Sequence, residues 1–116
     1  INITAVTKYL IKDKNDIIIL CSGWKGFFNL EDTLFAGALA NELLKHKFFT
    51  ANCDSLKAAI DLYSIAKNDL FKYLNSSCYR KRNNSKQLLK DTKFCLNPTI
   101  QSDIVPIYKE GKLIKI

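Results

Sequence analysis

The feature that most restricts the fold of this chain is an uninterrupted apolar run, Ile17–Cys21, in which three of five residues are isoleucine. β-Branched residues favour extended backbone, and an apolar run without polar alternation is typical of a strand buried on both faces. Such strands occur in mostly parallel sheets that are covered by helices. At five residues the run is far shorter than the roughly 20 that a membrane-spanning helix needs. It therefore predicts a central strand of an α/β domain and no membrane partner.

The segments around this run indicate helices. The spacing of apolar residues predicts them over Ile1–Ile11, Leu30–Lys45, Asp54–Ala66, Asn68–Leu74 and Gln87–Leu96. Asn2 and Asn29 are candidate N-caps of the first two. We expect the polar, basic stretch Ser76–Ser85 to be a connection. Within the second helix, Ala36-Gly37-Ala38 would let another element approach closely.

The C-terminal residues predict a β-hairpin. Ile104–Tyr108 and Leu113–Ile116 flank a Lys-Glu-Gly-Lys turn, and Pro106 restricts the first strand to an edge or a strand end. We therefore expect an α/β fold with helices packed around a central, mostly parallel sheet and a C-terminal β-hairpin. Residues 1–116 form a single unit in this prediction. Because the chain has no methionine and starts at Ile1, we expect it to be part of a longer chain and of a larger α/β fold.

The charge of the chain favours anionic partners. Its 18 Lys and Arg residues outnumber 11 Asp and Glu residues, for a formal net charge of +7. A nucleic-acid surface would interleave basic residues with exposed aromatics. Here Phe35, Tyr63 and Phe71 fall mostly on the apolar stripes of predicted helices, so we do not expect nucleic acid as a partner. A homo-oligomer is left open.

The four cysteines do not form a metal-binding pattern. None is spaced as C-x-x-C, and the single histidine, His46, cannot complete a zinc site with thiols so scattered. We expect reduced, mostly buried thiols in a cytoplasmic protein. Two disulfides in a secreted domain are the alternative.

The Ser22–Gly26 loop lies between the predicted strand and the helix that starts after Asn29. Glycines let the backbone approach a ligand, and the first N–H groups of a helix attract anions. Ser22 would add a hydroxyl and Lys25 a charge. The spacing matches neither the P-loop nor the dinucleotide fingerprint, so a plain strand-to-helix connection is the alternative.

Two adjacent carboxylates, Glu31 and Asp32, lie in the first turn of that helix. Beside a phosphate-binding loop they would suit Mg²⁺, which takes oxygen ligands and bridges to phosphate. The alternative is that they complement the helix dipole, with Asp32 forming a capping box with Asn29. Because adjacent helical residues point about 100° apart, we expect at most one of them to be a direct ligand.

Two further features leave a functional and a structural interpretation open. Arg80-Lys81-Arg82 contains the only two arginines, which would bind phosphate or sulfonate bidentately or form a solvated loop. Cys21, at a strand end before a helix, would have a lowered thiol pKa or would simply end its strand as a buried residue.

Several blocks together resemble the 2-phosphosulfolactate phosphatase family. They are Asn2–Val6, Ile19–Gly26 and Asn29–Gly37, followed by Asp91–Cys95 and Asp103–Pro106. The most specific block reads Leu-Glu-Asp-Thr-Leu-x-Ala-Gly, from Leu30 to Gly37. The blocks are similar to the C-terminal half of the family, and the resemblance covers nearly the whole chain in order and spacing.

This resemblance implies a cytoplasmic, Mg²⁺-dependent phosphatase that hydrolyses 2-phosphosulfolactate to sulfolactate and phosphate, a step of coenzyme M biosynthesis. The family fold is α/β, with helices around a central sheet. The implied catalytic and metal-binding residues are Glu31 and Asp32, and the implied substrate-binding residues are Asn2, Ser22, Gly23, Gly26, Ser77 and Arg82. The rest of the active site would come from a missing N-terminal half, whose signature blocks are absent here.

The chain departs from the family at one block. Where the family tends to read Ser-x-His-Gly-x-Arg, this chain has Ser77-Cys78-Tyr79-Arg80-Lys81-Arg82, with the histidine and glycine positions replaced. Two alternatives to the phosphatase therefore remain. One is a non-catalytic anion- or nucleotide-binding module, and the other is a structural half-domain whose basic face binds nucleic acid non-specifically.

Overall fold

Helices make up most of the fold in the computed structural model, which describes residues 1–116. The helices are α1 (Ile3–Asp13), α2 (Leu30–Leu43), α3 (Asp54–Ala66), α4 (Leu70–Tyr73), α5 (Cys78–Arg82) and α6 (Lys86–Cys95). A 3-10 turn, Leu74–Ser76, joins α4 to α5. Strands β1 (Pro106–Lys109) and β2 (Lys112–Lys115) form a two-stranded antiparallel sheet. The result is a mixed α/β fold in which none of the helices has the length and apolarity to cross a membrane.

The centre of the fold is the contact between α2 and α3. A Cβ atom added at Gly37 would lie 2.1 Å from the carbonyl oxygen of Ala59, so the two helix backbones meet closely here. Around this contact the buried apolar side chains are Leu34, Ala36, Leu39, Ala40 and Leu43 of α2, with Ala59 and Ala66 of α3. The prediction that the Ala-Gly-Ala segment allows a close approach is confirmed.

Most predicted helices are present with small shifts of their ends. α3 has the predicted bounds, and α1, α2 and α6 differ from prediction by one or two residues at the shifted ends. The hairpin is confirmed, with Pro106 at the first position of β1, paired with Lys115. The prediction that Ser76–Ser85 is only a connection is wrong. The Ser77 hydroxyl accepts the Arg80 N–H at 3.1 Å, and this cap starts α5.

The predicted central, mostly parallel sheet is not present. The run Ile17–Cys21 belongs to no strand, and none of its backbone groups is hydrogen-bonded to another backbone group. A strand needs the N–H and C=O groups of a neighbour. β1 and β2 pair with each other, so the chain has no second strand free to lie beside this run.

The prediction of mostly buried cysteines is also wrong. All four thiols are free, as expected, but all four are exposed. For Cys21 the reason is the run to which it belongs, which lies on the surface instead of inside a sheet.

Candidate functional site

The loop between the apolar run and α2 is a tight turn. The Trp24 N–H donates to the Phe27 carbonyl at 3.0 Å, and the Phe27 N–H donates to the Trp24 carbonyl at 2.9 Å. The two central residues, Lys25 and Gly26, have φ of 51° and 80°. This is the two-residue hairpin geometry in which both central residues need positive φ. Gly26 therefore serves the turn itself.

Asp32 fastens this loop to the start of α2. Its Oδ2 atom accepts the Gly23 N–H at 2.8 Å and the Ser22 hydroxyl at 3.2 Å. Gly23 has φ of 67°, and a Cβ atom there would lie 2.7 Å from the Phe27 carbonyl oxygen. The Gly23 N–H that we expected to face an anion is thus already paired with a carboxylate of the chain.

The start of α2 is capped by one side chain. Asn29 has extended backbone, and its Oδ1 atom accepts the Glu31 N–H at 3.1 Å. The predicted capping box does not form, because it would pair Asn29 with the N–H of Asp32 and not with that of Glu31. The Asp32 carboxylate is short and accepts hydrogen bonds from Ser22 and Gly23 of the loop. It therefore accepts none from Asn29.

Glu31 connects α2 to α5. Its Oε1 atom accepts the hydroxyl of Ser77 at 2.6 Å, although the two residues are 46 positions apart in sequence. Ser77 is buried and also caps α5 through the Arg80 N–H. A single hydrogen bond therefore joins a predicted catalytic carboxylate, Glu31, to a predicted substrate-binding serine, Ser77.

The two carboxylates keep oxygens available for a metal. Glu31 Oε2 and Asp32 Oδ1 take part in no hydrogen bond. No group of three or more His, Cys, Asp and Glu residues is gathered anywhere in the chain. Mg²⁺ is commonly held by only one or two carboxylates, with water and substrate phosphate completing its shell. The Glu31–Asp32 pair fits that limited share of a magnesium site.

Arg80, for which the sequence left anion binding and a solvated loop open, is buried, with 7% of its surface exposed. Its guanidinium lies 4.1 Å from the centre of the Phe71 ring, and Nη1 donates to Asn75 Oδ1 at 3.2 Å. Nε and Nη2 are buried and have no partner. These two donors form the edge of the guanidinium that binds a carboxylate or phosphate bidentately. The only sequence signal was that Arg80 is one of two arginines.

The remaining predicted residues differ in what they contact. Arg82 lies over the Trp24 ring at 4.9 Å, so the end of α5 contacts the glycine loop. Lys25 lies 5.9 Å from the same ring. Asn2 donates to the Ile104 carbonyl at 3.3 Å and makes no hydrogen bond with another predicted site residue. The structure thus brings together Ser22 with Gly23 and Asp32, Glu31 with Ser77, and Arg82 with the loop.

The thiols near this region differ in acidity. Partial burial, and then the negative charge of Asp32, raise the pKa of the Cys21 thiol. The idea of an activated Cys21 is therefore wrong. The pKa of Cys53 is lowered, chiefly by a hydrogen bond with the Ser55 hydroxyl and further by backbone N–H groups.

Comparison with known proteins gives a consistent family match. The model of the family described as 2-phosphosulpholactate phosphatase matches residues 1–111. A probable 2-phosphosulfolactate phosphatase of Caldanaerobacter subterraneus subsp. tengcongensis is 33% identical, over 96% of this chain and 45% of its own length. One from Clostridium botulinum strain Alaska E43 is 33% identical over 100% and 48%. One from Microcystis aeruginosa is 36% identical over 98% and 48%.

The chain spans about half the length of the curated relatives that it matches. No solved structure matches it significantly.

Proposed function

The chain belongs to the 2-phosphosulfolactate phosphatase family, and we propose that it is part of a Mg²⁺-dependent phosphatase. The substrate would be 2-phosphosulfolactate, or a related small phosphorylated acid, cleaved to sulfolactate and phosphate as in coenzyme M biosynthesis. The observation that carries this proposal is the placement of Glu31 and Asp32. Each is fixed by hydrogen bonds at the start of α2, and each keeps one free oxygen.

In this proposal the chain's own residues bind and orient the substrate. The positive charges of Lys25 and Arg82 meet at the Trp24 ring, beside the loop that Asp32 holds, and would attract the anionic substrate. Glu31 or Asp32 would supply a carboxylate oxygen to Mg²⁺, which polarises the phosphoryl group when bound. Ser77 fixes the carboxylate of Glu31 through its hydroxyl.

The remaining machinery would come from sequence that this chain does not contain. The relatives are about twice as long, and we propose that this chain corresponds to their C-terminal part. The other half would complete the active site, in a cytoplasmic protein. Arg80, with two buried and unpaired donors, is a second candidate for contact with an anionic group supplied by substrate or by that half.

Two conservative substitutions test the site in the intact protein. Glu31→Gln and Asp32→Asn should each lower the rate of phosphate release at least tenfold, because each removes a negative charge that would contact Mg²⁺ directly or through water. The control is Glu42→Gln on the same helix, where the carboxylate is exposed and paired with Lys45 at 2.6 Å. Unchanged rates for both test variants would overturn the site assignment.

A specific observation favours the second candidate, an anion-binding module without catalysis. The Gly23 N–H is already paired with Asp32, and Tyr79 and Arg80 replace the His-Gly of the family pattern. This module would bind 2-phosphosulfolactate in calorimetry and release no phosphate. Magnesium-dependent turnover would exclude it.

A further inference from the structure

The chain exposes more surface than a folded monomer of its size. Its solvent-accessible surface is 8815 Å². A monomer of 13.2 kDa is expected to expose about 6,400 Å², so the excess is roughly 2,400 Å². Only 14 of 116 residues are buried. The chain therefore buries less of its surface than a domain of this size that packs alone.

Part of this excess lies on Ile17–Cys21, which we call the bare segment. Ile18 is 92% exposed and Leu20 is 89% exposed. Ile17 and Ile19 are half-buried and line a groove of about 530 Å³ beside α2 and α3. The bare segment thus places apolar side chains on two opposite faces, and only one of these faces is against the chain's own helices.

The backbone of the bare segment is also unsatisfied by the chain. None of its N–H or C=O groups pairs with another backbone group. An exposed apolar segment of this kind is a template for a strand from another polypeptide. Strand addition would pair these groups, and the layer behind the added strand would cover Ile18 and Leu20.

We propose that the bare segment is the docking strand for a strand-bearing polypeptide equivalent to the half of the curated relatives that this chain does not match. The inference rests on that part of the proposed function which assigns the missing machinery to a second half. The length of the relatives supports this occupant, since they carry about as much additional chain as is present here. An excess of roughly 2,400 Å² on one partner is also within the range of obligate interfaces.

A second copy of this chain fits the bare segment less well. Each copy has one unpaired strand to offer, because β1 and β2 already pair with each other. Two bare segments together would form a ribbon of two strands, which is marginally stable and leaves an edge of each strand unpaired. Half of a larger α/β domain would supply further strands and the helices that cover them.

The test is co-expression of this chain with the unmatched half of the Caldanaerobacter relative, so that both polypeptides fold together. We expect a 1:1 complex in which the amides of Ile18–Leu20 exchange with deuterium roughly a hundredfold more slowly than in the isolated chain. The double variant Ile18→Lys/Leu20→Lys should abolish the complex. Neither readout depends on phosphatase activity. Complex formation and amide protection can therefore be observed even if the complex releases no phosphate.

The matched control is Ile65→Lys. Ile65 is 69% exposed on α3, about 9 Å along the helix axis from Ala59, the nearest residue of that helix that lines the groove. This variant should bind as the wild type does. A single chain that joins the two halves by a flexible linker removes affinity as a variable. Rapid exchange of Ile18–Leu20 in that fusion, or protection of these amides in a homodimer, would overturn the inference.

Discussion

The α2–α3 pair and the bare segment are both apolar, yet the structure treats them in opposite ways. Leu39 and Ala59 are each 4% exposed at a contact that only glycine at position 37 permits. Ile18 and Leu20 lie almost wholly in solvent. The helices satisfy their own backbone groups and need only a packing partner, which the chain contains. A strand also needs the backbone N–H and C=O groups of a neighbouring strand, and this chain has no unpaired strand beside the bare segment.

The largest expected effect concerns the contact between α2 and α3. Gly37→Val should destabilise the chain by about 3 kcal/mol or more, because the new side chain would overlap the backbone of Ala59. The control is Gly26→Ala, where a Cβ atom has no neighbour within 4 Å and the cost comes only from positive φ, about 1 kcal/mol. Urea unfolding measures both. Equal costs would contradict the close helix contact.

A second pair of substitutions compares a buried side chain of α2 with an exposed side chain of the bare segment. Leu39→Ala should cost about 2–4 kcal/mol of unfolding free energy, because it leaves a cavity beside α3. Ile18→Ala in the isolated chain should change that free energy by less than about 0.5 kcal/mol, because the side chain is already in solvent. A large loss on Ile18→Ala would show that the chain itself covers this residue.

Two serines that cap helices allow the effect of a helix cap to be distinguished from the effect of a long-range hydrogen bond. Ser77 and Ser85 each cap a helix, but only Ser77 also donates to Glu31. Ser85→Ala should cost about 1 kcal/mol of stability through the lost cap, and Ser77→Ala should cost more, because its buried hydroxyl also donates to Glu31. Under the proposed function, Ser77→Ala in the intact protein should in addition lower the rate of phosphate release several-fold, whereas Ser85→Ala should not. Equal rates would remove Ser77 from the site.

The smallest effect concerns the two thiols that line the groove beside the bare segment. Cys53 has a lowered pKa and Cys21 a raised one, so at pH 8 a larger fraction of Cys53 is thiolate. Iodoacetamide should therefore modify Cys53 several times faster in the isolated chain, as followed by peptide mass spectrometry. Faster modification of Cys21 would contradict the raised pKa of its thiol, which partial burial and then Asp32 cause.

What could be predicted from the sequence depended on the range of the interactions. The bounds of α3 follow from apolar spacing alone, and the hairpin follows from its turn residues. The helix α5 depends on Ser77, whose hydroxyl is also held by Glu31 from a distant part of the chain. The burial of Arg80 depends on the Phe71 ring, and no local pattern contains that contact.

The candidate site shows the same division. The glycines, Glu31 and Asp32 are predicted site residues because they stand together in sequence at a helix start. The direction of the Asp32 carboxylate, toward the Gly23 N–H and away from Asn29, could not be predicted, because it depends on how the loop folds back. The predicted strand over Ile17–Cys21 is absent, because an apolar pattern does not supply the neighbouring strand that it needs.

We propose that Glu31 and Asp32 belong to a phosphatase site, which the half of the relatives that this chain does not match would complete. The most direct test of this claim is phosphate release from 2-phosphosulfolactate by this chain alone and by its complex with the unmatched half of the Caldanaerobacter relative, each with Mg²⁺ and then with chelator. We expect turnover only by the complex, and its loss on chelation. Turnover by the isolated chain, or none by a folded, Mg²⁺-loaded complex, would contradict the claim.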